Sequence, residues 1–397
     1  MPIEPARIRA VTLTTALGRG RDAHVEAIAA MRPALRPGET DEVPVPSWVG
    51  VVDDLDDLPL VGDLADFDCR NNRLAALALE VDGFAAQVQA TRERCGAARI
   101  GLFLGTSTSG IRHSEHCYRR HFEQCTPGLG QDLRFATTHA YMSLAYFCRR
   151  RLGLRGPAAV VSTACSSGAK TFVAAHRALS AGLCDAAVVG GVDTLCATTL
   201  MGFHTLGLLS TTPCAPWSQG RSGISIGEGA AFALLDLTLD RSDDLALLGY
   251  GESNDAYHIT SPHPEGTGAV LAMVAALGAA GLNACDIDYL NLHGTGTAAN
   301  DQSEDCAVTR VFGDAVPVSA IKGWTGHTLG ASGAVEAVLS LLSVKAGLLP
   351  GTLNTETVDP ALSASLVRRS ERRTIDRVLS NAFGFAGNNC ALVLGRV

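Results

Sequence analysis

Short, nearly continuous apolar runs alternate along this chain with stretches whose apolar residues recur at helical spacing. The runs Ile8–Thr15, Ile100–Leu104, Ala158–Val161, Ala186–Val189, Ile226–Leu237, Ala246–Tyr250, Ile287–Leu292, Val316–Ile321 and Cys390–Leu394 read as buried strands. Helical spacing covers Ala23–Met31, Cys69–Val81, Thr137–Arg151, the stretch holding Ala169, Phe172, Val173 and Leu179, then Ala269–Gly281 and Ala334–Lys345. Strand and helix in alternation predict an α/β chain with mostly parallel sheets covered by helices. The pattern restarts near Leu245, which divides the chain into two similar halves, 1–240 and 241–397. In both halves the polar candidates fall at C-terminal strand ends, where open α/β sheets bind ligands.

The stretch Ala158–Val192 carries the first chemistry. A strand runs into small residues around Cys165, and a helix follows until Gly182. A cysteine at that junction faces the helix N-terminus, whose dipole and unpaired N–H groups favour a thiolate. Ala164, Ser166, Ser167 and Gly168 leave room for a substrate at the sulfur. In the second half His293 closes an apolar strand inside His-Gly-Thr-Gly-Thr, and His327 sits between Gly326 and Thr328 after Lys322. A helix-start cysteine with two such histidines points to nucleophilic chemistry. A thiolate suits acyl transfer from a thioester, and two neutral imidazoles donating hydrogen bonds can stabilise an enolate. Backbone N–H groups of Cys165 and of the glycine-rich stretch near Phe385 are candidates to hold the acyl oxygen.

Composition narrows the classes. With 397 residues, 47% hydrophobic, and 42 glycines, the chain can bury a large core. The net charge of −8 and the lack of a basic stripe argue against a nucleic-acid partner. No uninterrupted apolar run of about 18 residues predicts a membrane span. Twelve cysteines without CxxC spacing argue against disulfides or a zinc cluster, and a reducing cytoplasm is expected. Gly105–Gly110 (GTSTSG) lacks a phosphate-loop pattern and reads as a turn, and His113, His116 and Cys117 lack a second ligand pair.

Five segments in order carry a family resemblance: TACSSGA around Cys165, DAYHITSPHPEG from Asp255, HGTGTAANDQSE from His293, KGWTGHTLGASGAVEA from Lys322 and NAFGFAGNN from Asn381. Over nearly its whole length the chain resembles the β-ketoacyl-acyl-carrier-protein synthases, elongating condensing enzymes of the thiolase fold. The resemblance implies two α/β halves in a layered α-β-α-β-α core. It makes Cys165 the acyl acceptor, with His293 and His327 assisting decarboxylation of a malonyl thioester. Lys322 would order the site, paired with Glu336, with Glu304 as a structural acid nearby. Thr295 and Thr297 would meet the phosphopantetheine arm, Phe385 would gate the site, and Phe203 and His258 would border the substrate. Arg70 and Arg73, three apart on a predicted helix, would meet an acidic carrier protein. Beyond that arm no cofactor or metal is implied. The implied partners are acyl carrier protein and a second chain, either identical or a related ketosynthase or chain-length factor.

Departures qualify the likeness. The usual GFGGTN is GFAGNN, so Ala386 places a methyl where glycine gives backbone freedom. GTSTSG and the GNN ending look more like specialised aryl-polyene or polyketide members than housekeeping fatty-acid ones. A non-catalytic chain-length-factor partner is the alternative, disfavoured by the presence of Cys165 and both histidines. A thiolase would want a second late cysteine, which Cys390 inside a strand supplies poorly. A cysteine hydrolase would leave His327 and Lys322 unexplained.

Overall fold

The computed structural model describes residues 2–38, 45–125, 128–129, 133–239 and 244–397. Its main strands are β1 (Ala6–Thr15), β2 (Ile100–Gly105), β3 (Ala158–Val161), β4 (Ala186–Asp193), β5 (Gly229–Asp236), β6 (Leu245–Asn254), β7 (Tyr289–Leu292), β8 (Pro317–Ala320), β9 (Ser365–Leu366), β10 (Arg377–Gly384) and β11 (Asn388–Arg396). The helices that frame the site are α1 (Arg70–Glu80), α2 (Ile111–Gln124), α3 (Met142–Leu152), α4 (Ser167–Ser180), α5 (Ala197–Thr205), α6 (Thr267–Ala280), α7 (Ala298–Phe312) and α8 (Ser332–Ala346).

The strands lie side by side in the order β9-β8-β7-β10-β11-β6-β1-β5-β4-β2-β3. Read outward from the middle, β1-β5-β4-β2-β3 and β6-β11-β10-β7-β8 repeat one plan: two antiparallel pairings, then two parallel ones. The blocks meet where Ala6 and Arg7 of β1 pair with Leu247 and Ala246 of β6. The expected boundary at 240/241 falls outside the described residues, but β5 ends the first block and β6 opens the second.

The central layer is α4 and α8. Their apolar residues share one core with both blocks, including Phe172, Val173, Val335 and Leu342. Separate clusters hold α1 and α3 on the outside of the first block and α6 and α7 on the outside of the second. α8 is buried from Ser332 to Val344, which is why its sequence is apolar on every side. Leu329–Ala346 is long and apolar enough to span a membrane, and it is 89% buried in this core.

α4 and α8 touch at their N-termini through glycine. A Cβ on Gly168 would lie 2.6 Å from the Ala334 nitrogen, and one on Gly333 would lie 2.5 Å from the Ala169 nitrogen. This reciprocal Gly-Ala crossing fixes the two helix starts against each other, and both site-bearing turns end there.

Two local expectations shift. Thr137–Arg151 is broken into a wide turn at Phe135–His139 and then α3. Ile226–Leu237 is interrupted at Glu228, whose carboxylate turns inward to Arg70.

Candidate active site

β3 leads into the turn that carries Cys165. Ala164 takes φ 53°, a left-handed bend uncommon for a residue with a Cβ. The bend folds the chain back so that the Ser167 N–H donates to the Ala164 carbonyl at 3.1 Å, and α4 starts at once. Cys165 is therefore held at a helix start, 7% exposed. β8 delivers Lys322 and, five residues on, His327, before α8 begins. β7 delivers His293, whose N–H and that of Gly294 donate to the two Glu304 carboxylate oxygens at 2.7 and 2.8 Å. Asn381 donates to the same carboxylate at 3.1 Å.

These turns converge. His327 Nε2 lies 3.0 Å from Cys165 Sγ. The His293 and His327 rings meet edge-on at 5.5 Å. The sulfur and one ring nitrogen from each histidine lie within 4.8 Å of one another.

The ring tautomers follow from their back-side partners. Lys322 Nζ donates to His293 Nδ1 at 3.2 Å and to the His293 carbonyl, and pairs with Glu336 at 2.6 Å. The Leu329 N–H donates to His327 Nδ1 at 3.2 Å. A neutral ring whose Nδ1 accepts must carry its proton on Nε2. Burial and the Lys322 cation hold both imidazoles well below the usual histidine range, so both are neutral. The site thus presents two N–H donors beside a sulfur. Its spacing would also admit a metal ion, but the ammonium of Lys322 opposes a second cation there.

The sulfur departs from expectation. Burial pushes the Cys165 thiol up to about 12, only partly opposed by Lys322, so the resting group is a thiol rather than the thiolate a helix start favours. Burial likewise pushes Glu304 up to about 7 despite its three donors.

A cleft of about 870 Å³, its open mouth included, reaches this centre. Thr295, Thr297, Phe203, Phe383 and Phe385 line it with Cys165 and both histidines. Phe203 and Phe385 pack at 5.7 Å, and behind them a second, mostly apolar cavity of about 850 Å³ runs past Tyr141, Thr198 and Ser107. A Cβ on Gly384 would lie 3.1 Å from the Cys165 nitrogen, so only glycine lets the Phe385 turn approach the nucleophile this closely. Ala386 takes φ 58°, the conformation for which glycine is the easier residue.

Other expected residues lie elsewhere. His258 does not line the cleft; its Nδ1 accepts from the Thr260 and Ser261 N–H groups and shapes an exposed turn. Arg70 is no solvated cation: 9% exposed, it grips Glu228 at 2.7 Å through two nitrogens and pairs with Asp56. Arg73 is clamped to Asp68 by two bonds of 2.6 Å. Facing α1 toward the first core consumes both charges internally. His113 and Cys117 sit 3.7 Å apart on α2, away from the cleft.

Sequence reasoning missed two buried acids. Asp193 accepts from Thr106, Thr108 and the Ser107 N–H at 2.6–3.0 Å, so the GTSTSG turn cradles a carboxylate of its own chain. Glu228 holds Arg70, the Val52 N–H and the Leu195 N–H. Their only sequence signal is an acid within an otherwise apolar strand context.

A duplicated layered fold, a helix-start cysteine and two neutral imidazoles at strand ends define a cysteine-dependent acyl-transfer enzyme. Comparison narrows the class. The N-terminal domain of β-ketoacyl synthase matches residues 72–240, and its C-terminal domain matches residues 246–356. A 3-oxoacyl-[acyl-carrier-protein] synthase 2 of Staphylococcus aureus is 33% identical over 321 residues, 75% of this chain and 77% of its own length. Nodulation protein E of Rhizobium meliloti is 36% identical over 315 residues, 76% of each chain. A chain of the Xenorhabdus doucetiae ketosynthase ApeO in complex with its chain length factor ApeC superposes with TM-score 0.91 at 38% identity, covering 99% of this chain and 98% of that one. The ishigamide ketosynthase/chain length factor gives 0.89 at 26% identity with both chains fully covered. The chain belongs to the β-ketoacyl synthase family and is an acyltransferase of the ketosynthase kind.

Proposed function

We propose that the chain is the catalytic subunit of a ketosynthase that elongates polyene- or polyketide-type acyl groups held on acyl carrier protein. Cys165 Sγ attacks the acyl thioester carbonyl; the new S–C bond forms and the carrier thiol departs with the proton. A malonyl thioester then enters, and the Nε2–H groups of His293 and His327 donate to its carbonyl oxygen. The bond to CO2 breaks, its electron pair forms an enolate, and the two donors stabilise that charge. The enolate carbon attacks the acyl carbon on Cys165, the sulfur leaves as a thiolate that takes a proton from water to restore the thiol, and a 3-oxoacyl thioester forms on the carrier. The N–H groups of Cys165 and Phe385 hold the oxygen of the tetrahedral intermediates. Lys322 and Glu336 orient His293, Glu304 anchors its strand end, and Thr295 and Thr297 take the phosphopantetheine arm.

The observation that carries this reading is the pair of Nδ1 acceptors, which leaves two neutral N–H donors beside one thiol. The polyene and polyketide assignment rests on the GTSTSG and GNN stretches, and the likeness to ApeO with ApeC and to the ishigamide ketosynthase/chain length factor supports a chain-length-factor partner.

The same reading includes a dimer, with a chain-length-factor-type partner. β3 ends the sheet with four half-buried apolar residues, and the apolar cavity runs to Ser162 and Tyr141 beside it. Twelve free thiols suit a cytoplasmic setting.

The test is intact and peptide mass after incubation with hexanoyl and malonyl carrier proteins. One acyl group is expected on the Cys165 peptide, with CO2 released, and none on Cys165→Ala. An acyl group still carried by Cys165→Ala overturns the assignment of the nucleophile.

A further inference from the structure

Resting on the ketosynthase reading, we infer that Glu115 of α2 is a positioning residue: it sets α5 against the apolar cavity and so governs which acyl chains Cys165 accepts. α5 is a wall of that cavity, which Thr198, Thr199, Gly202 and Phe203 line, followed by Leu206. Phe203 also lines the cleft and packs on Phe385, so the helix borders the acyl path on both sides of that aromatic pair. Little packing holds the helix in place. Of its nine residues only Leu200 is buried, and Met201 stays 45% exposed.

Its start is held by hydrogen bonds and charge instead. Glu115 Oε2 accepts the Ala197 N–H at 3.0 Å, and Oε1 accepts the Thr198 N–H and hydroxyl, each at 2.6 Å. First-turn N–H groups have no partner inside a helix, and a carboxylate there also meets the positive end of the dipole. The residue before α5, Cys196, supplies no side-chain cap. Glu115 can align the helix because its own element is anchored. α2 follows the GTSTSG turn, which Asp193 holds through Thr106, Ser107 and Thr108. The Thr194 N–H donates to Thr108 Oγ1 at 3.2 Å, which ties the chain entering α5 to the same turn. Cys165 itself borders the cavity. An eight-carbon acyl group on its sulfur therefore has α5 for a wall, whereas a two-carbon group stops short of it.

The test follows acylation of Cys165 by acetyl- and octanoyl-N-acetylcysteamine, with the protein purified from its source organism so that any second chain stays with it. In Glu115→Ala, kcat/KM for the octanoyl donor is expected to fall at least tenfold. Transfer of acetyl should stay within threefold, because the sulfur and both histidines are held by other elements. Glu115→Gln keeps an acceptor for Thr198 but turns an amide N–H toward that of Ala197. Its octanoyl transfer should fall about fivefold, again with acetyl spared. Amide exchange over Ala197–Thr205 should quicken in both variants. Equal loss on both donors, no loss on octanoyl, or unchanged exchange in α5 would overturn the positioning role. If Glu115→Ala does not fold, Glu115→Gln decides by the same split between donors. Failure of the unaltered protein to load from either donor would instead overturn the ketosynthase reading, and the role of Glu115 with it.

Discussion

The two halves of this molecule share one strand plan and put opposite chemistry at its ends. In the first half, β3 ends in a bent turn and Cys165; in the second, the equivalent β8 ends in Lys322 and His327. At the next strand inward, β2 ends in a turn closed over Asp193, whereas the equivalent β7 ends in His293, open to the cleft. The first half supplies a single thiol nucleophile set in a frame of buried, hydrogen-bonded carboxylates. The second supplies donors, with its carboxylates Glu304 and Glu336 turned to holding them. Neither half has a complete site. The Gly168–Gly333 crossing is the point at which two incomplete ones become one.

The comparison breaks most sharply at the donors. His293→Ala and His327→Ala should each slow malonyl decarboxylation about 100- to 1,000-fold, roughly 3–4 kcal/mol, while acyl transfer to Cys165 suffers less. Released CO2 and acyl-enzyme mass, measured separately, check this; equal loss in both steps would place the histidines in the first half's chemistry as well. Next comes the crossing. Gly333→Ala puts a methyl 2.5 Å from a backbone nitrogen, an overpacking that costs about 1–3 kcal/mol. Urea unfolding should show that loss, and acyl loading should drop as the helix starts separate; an unchanged midpoint would mean that the helices are not locked there. The finest test concerns which influence governs the thiol. With burial holding Cys165 at about 12, its alkylation by iodoacetamide, read on the Cys165 peptide, should rise about tenfold per pH unit through pH 9. A plateau near neutrality would mean that the helix start and the His327 donor outweigh burial.

Much of this was legible in the chain before its folding. Period and punctuation located the strands, and the restart near Leu245 revealed the duplication, because buried parallel strands must read as apolar runs. Cys165, His293 and His327 stood out since polar residues among glycines at strand ends have no packing purpose. What stayed hidden depends on which way a side chain turns. Arg70 and Arg73 share a helix face whether that face meets solvent or Glu228 and Asp68, and spacing alone cannot distinguish the two. His258 lies inside a family motif yet serves a turn. The thiol's state was misread for a similar reason: helix position is visible in sequence, but depth of burial is not.

The bare edge of β3 has a consequence for how the protein must be made. Ala158–Val161 presents unpaired backbone groups behind apolar side chains, with Tyr141 exposed beside the same cavity. Such an edge pairs with whatever strand it meets first. Until a second chain covers that edge, copies of this protein can template one another through it. Coexpression with a chain of the proposed partner type should accordingly raise the recombinant yield.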